Sequence, residues 1–116
     1  MGKSDFGPEL RQAVRLRATG RCERCGRAEA HLDLHHRLLR SRGGTSSGCN
    51  AVGLCRACHT WAHMDADATA LGFTVASWDD PALIPIPSRM FGLPVYLLPN
   101  GDLAFDPPVA DNPTTP

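Results

Sequence analysis

The sequence predicts a small α+β fold with a helix near its amino end and a β-hairpin extension near its carboxyl end. Three observations predict it. At 116 residues the chain has the size of one domain, in which apolar burial alone leaves a modest stability margin. One helical pattern and a short strand candidate fill its first third, whereas prolines break its last third into extended pieces. Two Cys-x-x-Cys pairs, 29 residues apart, offer a way to tie distant segments together.

Pro8 to Ala18 reads as a helix. Pro8 suits the first helical position, Leu10, Ala13, Val14 and Arg17 share one side, and Gly20 is placed to stop it. Arg11 and Arg15, four apart, share another face. Leu32 to His36 is a short strand candidate, and Arg42 to Cys49, rich in glycine and serine, is expected to be an irregular loop. Cys55 to His63 lacks glycine and proline and is long enough for two helical turns; Ala66 to Leu71 adds another short helix ended by Gly72. Beyond Ser77, prolines 81, 85, 87, 94 and 99 leave only strands or extended chain. Val95 to Leu98 and Leu103 to Phe105 flank Asn100-Gly101, which predicts a hairpin with a type I′ turn. The expected organisation is a domain over 1–77, a proline-rich β extension over 78–106 packed on it, and a disordered tail over 107–116.

Five cysteines in so short a chain mean disulfides or metal. The first 21 residues are charged and have no apolar core, so a signal peptide is not expected, and no apolar run approaches a bilayer span. The reading is a cytoplasmic protein, of a bacterium or a phage-infected host cell, with no membrane partner. In a reducing compartment Cys22, Cys25, Cys55 and Cys58 are expected to hold one structural zinc ion, because each two-residue spacer presents two sulfurs to one tetrahedron. Cys49 is left over as a small buried side chain.

Formal net charge is zero, but its distribution is lopsided. Residues 1–63 carry eleven cations against five acids, a net of +6; residues 64–116 carry Arg89 against seven aspartates, a net of −6. Ten of the eleven cations are arginines, which suit forked contacts to phosphate.

Four of five histidines fall in two tight groups. His59 and His63, four apart on a helix, stack on one face at about 5–6 Å between Cβ atoms, close enough to share a cation. Cys58 and His59 diverge by roughly 100° about the helix axis, so one segment can serve two separate metal sites. His35 and His36 diverge in extended chain. One can complete a three-histidine metal site while the other activates water; strand geometry leaves open which does which. His31 stands apart as structural or solvent-facing.

The run DLHHRLLRSRGGTSSGCNAVGLCRACHTWAH, Asp33 to His63, resembles the HNH endonucleases, a branch of the ββα-metal nucleases. The His-His pair, the Gly-Gly loop, an asparagine nine residues before the next histidine, the LCxxCH junction and the closing HxxxH carry the likeness. The resemblance implies a ββα-metal core stapled by the four-cysteine zinc site, and a DNA endonuclease that nicks or cuts both strands. It assigns His35, His59 and His63 as ligands of one catalytic divalent metal and His36 as general base. It places Asn50 as a catalytic orienting residue, expected to accept the His36 ring N–H through its amide oxygen.

No acidic side chain stands among these ligands, so zinc, manganese, nickel or cobalt suits the site better than magnesium. Histidine's ordinary pKa of about 6.5 lets His36 take a proton from water at neutral pH, worth about 10²–10⁴ in rate. The products would carry 5′-phosphate and 3′-hydroxyl ends. Arg37, Arg40 and Arg42 are the expected phosphate contacts. Double-stranded DNA is the expected partner; the resemblance adds a form of the enzyme that depends on phage packaging proteins. The rival is a non-catalytic zinc module binding nucleic acid or protein, which would have no use for His36, Asn50 and HxxxH together.

Overall fold

A computed structural model describes residues 6–108; 109–116, most of the expected tail, lies outside the described residues. Helix α1 spans Pro8–Ala18, buries Val14, Arg17 and Ala18, and ends where Thr19 and Gly20 turn left-handed. Strand β1 (Asp33–His36) pairs antiparallel with β2 (Ala51–Leu54), Asp33 opposite Leu54 and His36 opposite Ala51. All four residues of β2 are buried, so the strand shows no apolar alternation in the sequence. Helix α2 (Arg56–Met64) follows directly, with Cys55 as its N-cap, and α3 (Asp67–Ala70) continues it. The order β1, β2, α2 is a ββα unit in which both strands face the helix.

The link between β1 and β2 is tighter than the irregular loop its composition predicts. One-turn 3₁₀ helices occupy Arg40–Arg42 and Gly48–Asn50. Between them Gly44 lies so close to the chain that a Cβ there would stand 1.7 Å from the Leu38 carbonyl oxygen. Only glycine fits such an approach.

The carboxyl part forms a three-stranded antiparallel sheet in the order β3 (Ile86–Pro87), β4 (Pro94–Leu97), β5 (Leu103–Ala104). The β4–β5 hairpin exists, but its turn is not type I′, which needs positive φ at both Asn100 and Gly101. Only Gly101 is left-handed (φ 94°), and its N–H donates to Leu98 O at 2.9 Å. Pro99 and Asn100 are therefore the central residues of a three-residue loop, because proline's fixed φ suits the first central position.

Ile86, Val95 and Leu97 of this sheet share one buried cluster with Leu32, Val52, Leu54, Ala62 and Phe73. Full burial of side chains this size contributes about 1.5–3 kcal/mol each. A second tie is ionic. Arg17, buried on α1, holds Glu23 at 2.6 Å and donates to the carbonyls of Ala51, Gly48 and Gly101, while Glu23 accepts the Gly53 N–H. One guanidinium thus joins α1, the first Cys-x-x-Cys turn, β2 and the hairpin tip. None of the described helices is long and apolar enough to cross a membrane.

Candidate metal centres and their surroundings

The two Cys-x-x-Cys turns meet. The sulfurs of Cys22, Cys25, Cys55 and Cys58 lie within 4.8 Å of one another, Cys25 and Cys55 at 3.9 Å. Four sulfurs at about 2.3 Å from one ion stand about 3.8 Å apart, so the spacing suits a tetrahedral metal. Burial opposes charge on Cys22, but backbone hydrogen bonds from Cys25, Cys55 and Arg24 outweigh it and hold that thiol below its usual range; burial pushes Cys58 up to about 12. Arg24 stacks on Trp61, 3.6 Å above the ring, and donates to Cys58 Sγ at 3.3 Å. A cluster that resists carrying four negative charges alone can hold them around a cation. Cys49 is buried, as expected, with its sulfur 3.2 Å from the Ser47 hydroxyl.

On the other side of α2, His35, His59 and His63 each offer one ring nitrogen, all within 4.8 Å of one another. Strand alternation and helical spacing produce this: β1 turns His35 toward α2, and one face of α2 carries the other two. Nε2 of His59 and Nε2 of His63 stand 3.3 Å apart, the edge of a tetrahedron with ligands at about 2.0–2.1 Å. The tautomers agree. His35 Nε2 lies 3.0 Å from Phe73 O, so it donates there and leaves Nδ1 with the lone pair. That Nδ1 is buried and has no hydrogen-bond partner among the described residues. A buried acceptor without a donor is costly, and a cation bound by the three rings would satisfy it. Burial, then the neighbouring His59 and His63, depress the His35 pKa to about 3; burial and His59 lower His63 as well.

Asp33 is a residue that sequence reasoning counted only as a charge. Two positions before His35 on β1, it shares that histidine's face, and its Oδ2 lies 3.1 Å from His59 Nδ1 and 2.8 Å from Arg56 Nε. Burial alone would raise its carboxyl pKa; the His59 and Arg56 hydrogen bonds outweigh it and hold Asp33 below the usual range. It fixes His59 with Nε2 toward the cluster, the carboxylate–histidine arrangement common behind metal ligands. His31, whose Nε2 is 3.6 Å from Asp33 Oδ1, is exposed.

His36 projects from the opposite face of β1, half-buried, its ring stacked on Phe6 at 4.1 Å between centroids. Phe6 gave no sequence signal because it lies before α1, far from the motif. Asn50 does not receive the His36 ring. Its Oδ1 accepts the Leu38 N–H at 2.7 Å, and its Nδ2 donates to Leu38 O at 3.0 Å and Thr45 O at 2.8 Å. The amide is thus consumed in clipping the β1–β2 link, and it supports His36 only through the backbone that follows it.

Arg37 corrects the expected trio of phosphate contacts. It is fully buried, and its guanidinium donates to Gly72 O, Cys49 O, Pro81 O and Ile84 O, with no donor directed to solvent. An interior cation bound by carbonyls cannot reach a phosphate. Arg40 and Arg42 are exposed on the 3₁₀ turn that follows.

Residues 22–65, which include both clusters, His36 and Asn50, match the family model described as HNH endonuclease. No curated protein matches the chain.

Proposed function

Starting from the HNH endonuclease domain that this chain carries over residues 22–65, we propose that the protein is a metal-dependent endonuclease that hydrolyses phosphodiester bonds in DNA. The observation that carries the reading is the convergence of three imidazoles, two with their tautomers fixed from behind, at a point where one buried nitrogen has no other partner among the described residues. His35 Nδ1, His59 Nε2 and the His63 ring would hold one divalent ion, for which neutral nitrogens favour zinc, manganese, nickel or cobalt over magnesium. When bound, such an ion supplies charge for a phosphoryl oxygen and for the departing 3′ oxygen.

The remaining work falls to side chains. His36 accepts the proton of the attacking water, and its stacking on Phe6 restrains the ring that must do so. Asn50 closes the link after His36 and so holds in place the backbone that carries the base. Exposed Arg40 and Arg42 meet backbone phosphates and position the strand without reading its sequence. The four thiolates hold structural zinc, which joins the helix end at Cys22 to the start of α2. Residues up to 77 form the nuclease, with 78–106 as its β extension.

The test is nicking of supercoiled plasmid by the purified chain across a panel of divalent metals, beside a chelator control and His36→Ala. Loss of cleavage in His36→Ala with metal and DNA binding retained is the expected result. Cutting at the wild-type rate by that variant would overturn the assignment of the base.

A further inference from the structure

A cavity of about 450 Å³ opens between the end of α1, the first Cys-x-x-Cys turn and the β extension, and none of His35, His36, Asn50, His59 or His63 lines it. Its wall is apolar. Ile86, Val95 and Leu103 line it together with Met90 and Phe91, which stand 49% and 42% exposed at its mouth. Phe105, half-exposed, supports Phe91 edge-to-face at 5.0 Å between centroids. An apolar hollow of this volume lies within the range of ligand sites, and exposed aromatic and methionine side chains at a concave rim mark interaction surfaces.

Charge says what kind of partner fits. Exposed Arg21 and Arg89 both line the cavity, and among the described residues neither has a carboxylate at ion-pair distance. Glu23, the one acidic residue of the lining, is taken up by Arg17 and the Gly53 N–H. The hollow therefore presents an apolar floor beneath two cations with no internal counter-charge. Arg21 comes from the basic amino half and Arg89 is the one cation of the acidic carboxyl half, so the fold brings the two together at this rim.

We propose that this cavity is a docking site for a protein partner, and that it takes a short segment in which a bulky aliphatic or aromatic residue enters the hollow beside an aspartate or glutamate paired with Arg21 or Arg89. A nucleic-acid strand fits less well. Its phosphates would meet the two arginines, but below Phe91 its bases would find a floor of Ile86, Val95 and Leu103 with no side-chain amide or free carboxylate to read their edges. None of the histidine-cluster residues lines the site, so an occupant can bring the nuclease to its place of action without entering the catalytic centre. It stands whether or not the histidine cluster is catalytic.

The experiment uses the full zinc-loaded chain and a displayed library of short random peptides. Enriched sequences should combine Asp or Glu with Leu, Ile, Met, Phe or Trp; synthetic peptides of that pattern, titrated by fluorescence anisotropy, should bind the wild type. The paired reversal Arg21→Glu with Arg89→Glu should weaken binding about tenfold or more, and Phe91→Ser should weaken it independently. Amide shifts on peptide addition should fall on residues 86–91, 95 and 103. Both substitutions lie at the surface, and plasmid nicking by each variant should equal that of the wild type. Absence of any enriched pattern, or binding indifferent to both substitutions, overturns the proposal. So does a double reversal that abolishes binding of DNA oligonucleotides, which would assign the rim to nucleic acid.

Discussion

Arg37→Ala separates two physical roles for one arginine. In the folded chain its guanidinium sits among four carbonyl oxygens, at 2.9 Å from Gly72, 2.7 Å from Cys49, 3.0 Å from Pro81, and against Ile84. These come from the second 3₁₀ turn, the turn after α3 and the proline-rich segment, so one side chain holds three stretches of chain to the end of β1. Burial lowers its pKa to about 10, which still leaves it a cation at neutral pH. Each charge-assisted bond contributes about 1.5–3 kcal/mol net, but desolvating the cation costs several kcal/mol in return. Truncation removes both terms and leaves four carbonyls facing a cavity that water only partly fills. The expected net loss is about 3–5 kcal/mol, a large share of the roughly 5–15 kcal/mol that stabilises a domain. In a domain of this size that is a fall in Tm on the order of 10–25 °C. Thermal and urea unfolding measure it. Arg37→Lys should recover only part of the loss, since an ammonium cannot fork to four acceptors. A phosphate contact behaves oppositely: its removal spares Tm and lowers the salt dependence of DNA binding by about one ion. That second pattern, an unmoved melting curve with a reduced salt slope, would refute the interior role.

Three further outcomes follow from the site. Asp33→Asn should weaken divalent-metal binding at the histidine cluster about 10–100-fold, measured by competition with a chelating dye, while metal binding by the four cysteines is unaffected. Asn50→Ala removes three hydrogen bonds to Leu38 and Thr45 and should cost about 2–4 kcal/mol, with faster amide exchange across residues 38–50. It should leave the acid limb of the pH–rate profile where it is; a moved limb would indicate that the amide acts on the His36 ring after all. For His35 the folded pKa, about 3, lies below the unfolded value near 6.5, so the unfolded chain binds the extra proton first. The stability tied to its neutral ring is therefore complete above about pH 6.5 and declines as pH falls toward 3, by up to roughly 5 kcal/mol. Ring NMR of protein kept free of divalent metal at the histidine cluster should find His35 unprotonated wherever the fold persists, and a midpoint near 6.5 would contradict its carbonyl-bound, buried setting.

What could be read from the sequence, and what could not, divides by the range of the forces involved. The cysteine turns and the His59–His63 pair are local, since a two-residue spacer or one helical turn fixes their geometry whatever surrounds them. Asp33 belongs in the same class: strand alternation alone puts it beside His35, and attention to the alternate position would have found the group that orients His59. Arg37 was not legible. Its four acceptors are 12 to 47 residues away, and nothing near position 37 distinguishes an arginine that turns inward from Arg40 and Arg42, which remain outside. Asn50 misled for a related reason, since an amide beside a catalytic motif serves equally well as a clip for backbone or a partner for a ring, and only the path of residues 38–45 decides. The consequence is mechanical. Arg37 and Asn50 clamp the two ends of the link that follows His36, one through distant carbonyls and the other through Leu38 and Thr45, so His36 owes its position to interior bonds on either side of it. If His36 is the base proposed above, a substitution at either clamp should lower cleavage in proportion to the disorder it allows at His36.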